Sequence, residues 1–180
     1  MNADHVPVPL QNYFAGLAES AFETRLGVAD PSLVDYLAGL LTRFVRSDAL
    51  YSVRSVRGRR LHEVSDMLAE AEARVGDARR EIHRQIGDYT LFWTGVYPEA
   101  LTTLRAADKK DQFVDYCEQG KRAYYIASTI PTERADVDTE VLQRLSHEFE
   151  MCMYGLGEVR REWERRDPGA SSSTRLFLII

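Results

Sequence analysis

Two cysteines in 180 residues are too few to staple a secreted scaffold, and Cys117 and Cys152 each fall inside a helix-period segment. Both therefore read as reduced packing thiols rather than as a disulfide. Long apolar runs are missing too: nothing approaches the roughly 20 consecutive apolar residues that crossing a bilayer requires. The opening MNADHVPVPL has neither a basic n-region nor an apolar h-region. These absences lead to the expectation of a cytoplasmic protein of bacterial type with no membrane span.

Positive charge is also in short supply. With a formal net charge of −5, the chain lacks the basic surface that neutralises phosphates, which argues against nucleic acid as a general partner. Its basic residues are 20 Arg and only 3 Lys, a bias that a GC-rich genome produces as readily as a binding surface does. Motifs for metals and nucleotides are missing as well. Helical bundles hold metals with inward Glu residues and Glu-x-x-His pairs, because a three-residue spacing aims both ligands at one ion. No Glu-x-x-His, His-x-x-x-His or Cys-x-x-Cys occurs, and His5, His62, His83 and His147 are scattered. Gly155-Leu156-Gly157 has no strand before it, so the context for a phosphate cradle is absent. The sequence leads to no metal and no cofactor.

What is present is helix. At 44% hydrophobic and 28% charged the composition is that of an ordinary globular domain. Apolar residues recur at three- and four-residue spacing from Leu10 to Leu26 (Phe14, Leu17, Ala18, Ala21, Phe22) and from Asp30-Pro31 to about Arg46 (Leu33, Val34, Leu37, Leu40, Leu41, Phe44). A connector is expected over 47–58. Leu61, Val64, Leu68 and Ala71 mark a third helix, which either runs past Gly76 or breaks there. The fourth, Asp77 to about Tyr97, is apolar on all sides from Ile86 onward, with Asp88 its single charge, and a helix apolar all round is a buried one. After a short helical piece at Ala100–Leu104, a fifth spans Asp111–Ser128. The sixth is expected to run unbroken over Asp138–Arg166 with Val141, Leu145, Phe149, Cys152, Leu156, Val159 and Trp163 in one stripe. No segment alternates long enough to demand a strand. The fold is thus expected to be an all-α, single-domain bundle of about six helices over 1–170. A Ser-rich link and an apolar tail (LFLII) occupy 171–180.

Three constellations carry functional expectations. A carboxylate in an apolar helix must be paired, hydrogen-bonded or protonated, so Asp88 needs a partner; Arg122, Lys121 or the Tyr124 hydroxyl of the fifth helix are the candidates. The plainer role is an anchor that sets helix register. The functional one is a pocket for a small organic molecule, with Asp88 and Arg122 as polar groups and Trp93, Tyr97, Tyr124 and Tyr125 as walls. Second, Arg54, Arg57, Arg59 and Arg60 form an acid-free stretch whose guanidinium forks could grip an anion, although a solvated loop explains it as well. Third, His147, Met151 and Tyr154 make a second stripe on the sixth helix, and a homodimer through Met151 and Tyr154 would cover it. No catalytic set emerges. The leading reading is a helical interaction or small-ligand-binding protein. The alternative is an enzyme or cofactor-binding bundle with a pocket near Asp88, and the third reading is anion or nucleic-acid binding through Arg54–Arg60.

Overall fold

The computed structural model describes residues 8–44, 63–104, 109–134, 137–166 and 168. Among them the chain is all-helical, with no strand. The elements are α1 (Val8–Glu19), a π-helical turn (Ser20–Arg25), α2 (Pro31–Phe44), α3 (Val64–Glu72), α4 (Gly76–Gly95), α5 (Pro98–Leu104), α6 (Lys109–Thr129), α7 (Thr139–His147) and α8 (Phe149–Arg166). No helix among the described residues is long and apolar enough to cross a membrane. The connector at 47–58, the Arg54–Arg60 stretch and the tail at 171–180 lie outside the described residues. The chain divides into two compact units.

The first unit comprises α1, the π turn, α2 and the part of α8 from Tyr154 onward. Phe14, Leu17, Ala18, Ala21 and Phe22 are all buried, as their spacing predicts. The first helix does not stay α-helical to its end, however. It widens at Ser20, with the Leu26 amide donating to the Ala21 carbonyl at 3.2 Å, and Gly27, at φ +68°, supplies the left-handed residue that ends it. Asp30 then accepts the Leu33 amide at 3.2 Å, with Pro31 in the first helical position. Trp163 packs edge-on to Phe14, ring centroids 5.3 Å apart. The Phe22 ring lies where a Cβ on residue 155 would be, so only Gly155 admits it.

The second unit comprises α3 to α7 and the first residues of α8, up to Met153. The third helix ends at Glu72 and α4 opens at Gly76, whose left-handed φ of +58° breaks the chain there instead of letting it run on. Every residue from Ile86 to Tyr97 is buried. The threonines in that stretch satisfy themselves: the Thr90 hydroxyl donates to the Ile86 carbonyl (2.8 Å) and that of Thr94 to the Thr90 carbonyl (2.7 Å). The residue before Pro98 is steered away from helix, and Pro98 itself opens α5.

The expected unbroken helix over Asp138–Arg166 is two helices. Asp138 caps α7 by accepting the Glu140 amide at 3.0 Å, but Glu148 departs from helical dihedrals (φ −105°, ψ 27°) before Phe149 opens α8. The hydrogen bonds from Glu148 to Arg144 and from Cys152 to Glu148 survive. Only the backbone at Glu148 bends, which is why the apolar stripe runs through the break unchanged. Cys117 and Cys152 are not joined in a disulfide; the first is half-buried and the second buried.

Candidate functional site

Asp88 sits on α4 with 2% of its surface exposed. Its two oxygens have different partners. The Tyr124 hydroxyl, from α6, donates to Oδ1 at 2.7 Å, and Arg84, one turn earlier on α4, donates from Nη1 to Oδ2 at 2.8 Å. Arg84 also pairs with Glu81, so a polar line Glu81–Arg84–Asp88–Tyr124 runs from the surface of α4 into its contact with α6. The contact is close because of glycine. A Cβ at residue 87 would stand 2.6 Å from the Tyr124 ring carbons, and one at residue 120 would collide with Thr90 and Phe149. The ring of Tyr124 therefore lies directly on the α4 backbone and fills the space beside Asp88.

Of the expected partners from the fifth helix, the hydroxyl is present and the cations are not. Arg122 is exposed and Lys121 pairs with Glu150; the positive charge beside Asp88 comes from Arg84 instead. The Arg84–Asp88 pair, four residues apart on one helix, is legible from spacing alone. The aromatic walls also separate. Trp93 follows Asp88 by five residues, about 140° round the helix. It packs with Tyr89 and Phe92 at centroid distances of 6.2 and 5.7 Å, while Tyr97 packs on Phe92 at 5.8 Å. Tyr125 is one residue past Tyr124, about 100° round, and is 56% exposed. The structure thus joins Asp88 to Tyr124, buries Trp93 and Tyr97 in an aromatic cluster, and places Arg122 and Tyr125 on the outside of α6.

Among the described residues no group of three or more His, Cys, Asp or Glu side chains is arranged to hold a metal. His147 is exposed, with Nδ1 2.9 Å from the Gln143 carbonyl. His83, by contrast, is 1% exposed, and neither ring nitrogen has a hydrogen-bond partner. Burial, with the Arg79 and Arg122 charges added, holds its pKa below the ordinary 6.5 against an opposing pull from Glu72. Burial likewise pushes the Cys117 thiol up. On the second stripe, Met151 is half-buried in one unit, and Tyr154, in the other, is 54% exposed beneath the Arg161 guanidinium.

The first unit also holds a cluster of Arg and Glu side chains. Arg25, the last residue of the π turn, donates to Glu158 (3.2 Å) and Glu162 (2.9 Å); Arg165 and Arg166 donate to Glu162 at 2.5 and 2.7 Å, and Arg161 to Glu158 at 2.5 Å. Hydrogen bonds from Arg165, Arg166 and Arg25 hold the Glu162 carboxyl at a pKa of about 2. These side chains also cover it, leaving 6% exposed. A shallow, open depression in the same unit is lined by Glu23, Gly27, Val28, Ala29 and Pro31. Compared with protein-family models, curated proteins and solved structures, the chain gives no match in any of the three.

Proposed function

We propose that this chain is a helical binding scaffold whose contacts are made on its outer faces, and that Asp88 is an architectural tie between α4 and α6. The observation that carries this reading is the engagement of both Asp88 oxygens, by Arg84 and Tyr124, in a space the Tyr124 ring already fills. A pocket for a small molecule or cofactor, as in the enzyme reading, needs room at that carboxylate. The exposed Arg122 and Tyr125 on α6 suit contact with a macromolecule better than enclosure of a ligand. A cytoplasmic setting for the scaffold accords with two cysteines that are not joined in a disulfide.

Native mass spectrometry of the purified protein and its Asp88→Asn variant tests the proposal. Both are expected to appear without a retained small molecule, the variant melting at lower temperature. A bound molecule lost on Asp88→Asn, with melting unchanged, would establish the pocket instead.

Self-association through Met151 and Tyr154 is the second reading, favoured by the exposure of the Tyr154 ring. It requires sedimentation to show a dimer that Met151→Glu dissociates; a wild-type monomer at all concentrations removes it.

A further inference from the structure

We infer that His83 is an acid-sensitive lock on the packing of α4 in the second unit: the unit holds together with a neutral imidazole at this position and loosens when the ring takes up a proton. The observation is a buried histidine with no acceptor. His83 lies one turn before Gly87, on a helix that packs against α3 and α6, and neither Nδ1 nor Nε2 has a hydrogen-bond partner. A neutral ring tolerates that position; an imidazolium, with two N–H donors and a full charge, does not.

The charged groups around it do not compensate. On α4 itself Arg79 bears on the ring, and from α6 so does Arg122; both repel a proton. The acid that acts on it is Glu72 of α3, which is mostly exposed and already paired with Arg79 at 3.3 Å. Arg80, the next residue to Arg79, is buried and spends Nη2 on the Val137 carbonyl at 3.0 Å. Two guanidinium groups against one shared, solvent-screened carboxylate leave a proton on His83 without stabilisation.

The direction of the pH dependence follows. A histidine whose pKa is lowered in the folded state binds its proton more readily when unfolded. Its contribution is fully present above the ordinary imidazole value of 6.5 and is lost as pH falls from there through the lowered one. One proton taken up on unfolding lowers the folded-to-unfolded ratio by up to about tenfold per pH unit across that window.

Denaturant unfolding of the full chain at constant ionic strength from pH 7.5 to 5 tests this. The wild type is expected to lose stability below about pH 6.5, His83→Leu to show a flat profile there, and His147→Gln to keep the wild-type slope. A wild type insensitive to pH in this range, or an equal slope in His83→Leu, overturns the inference. Should His83→Leu fail to fold, the imidazole resonances of the wild type decide. The expected result is that His83 protonates only as the amide signals of α4 lose their native positions. Protonation at the ordinary value with the native spectrum intact, as a ring recruiting Glu72 would show, overturns it.

Discussion

The second half of α4 and the second half of α8 each place carboxylates where little water reaches, and they solve the problem differently. In α4 a single acid, Asp88, receives one hydroxyl and one guanidinium from fixed directions, inside a stretch in which every neighbour from Ile86 to Tyr97 is buried. In α8, Glu158 and Glu162 are wrapped by the long side chains of Arg25, Arg161, Arg165 and Arg166, most of which remain well exposed. Burial in the first case comes from packed backbone and rings, and in the second from the partners themselves. A tie of the first kind resists water and salt, whereas exposed ion pairs gain little and are screened.

The largest effect separating the two regions is expected from Trp93→Ala. Trp93 lies within the aromatic cluster of α4, and loss of a large core side chain destabilises by about 3 to 5 kcal/mol. A denaturation midpoint shift equivalent to less than about 1 kcal/mol would contradict the view of this helix as the centre of its unit.

The smallest effect is expected from Glu162→Gln. Because the Glu162 pKa is depressed to about 2, its contribution is present above the ordinary carboxylate range and disappears as pH falls through about 2. The variant should therefore differ slightly from the wild type at neutral pH, less at high salt, and not at all in strong acid. A difference that persists in concentrated salt would place Glu162 with Asp88 rather than apart from it.

Much of this contrast was legible in the sequence, for physical reasons that also mark where legibility ends. A run from Ile86 to Tyr97 with no polar face can only be buried, and a carboxylate within it must be answered, so both the central helix and the Asp88–Tyr124 pair were accessible. Asp30-Pro31 and Gly76 carry backbone preferences that act locally, and the helix boundaries there follow them. The π turn at Ser20–Arg25 and the bend at Glu148 contain neither proline nor glycine and leave the apolar period intact, so periodicity has nothing to report. Residue type alone groups Trp93, Tyr97, Arg122 and Tyr125 with Asp88, whereas helical phase parts them: steps of one, two, five and nine residues turn side chains to other faces. His83 stood one turn from Gly87, on the face that Tyr124 covers, and that phase relation was the available sign of its burial.

The claim at the centre of this comparison is that the Tyr124 hydroxyl and the Asp88 carboxylate form a buried, energetically coupled tie, and a double-mutant cycle measures that coupling directly. Unfolding free energies of the wild type, Asp88→Asn, Tyr124→Phe and the double variant are compared. A hydrogen bond to a charged group contributes about 1.5 to 3 kcal/mol, so the two substitutions together are expected to destabilise by at least about 1 kcal/mol less than the sum of their separate effects. Additivity within about 0.3 to 0.5 kcal/mol would contradict the tie and reopen the space beside Asp88 as a binding site.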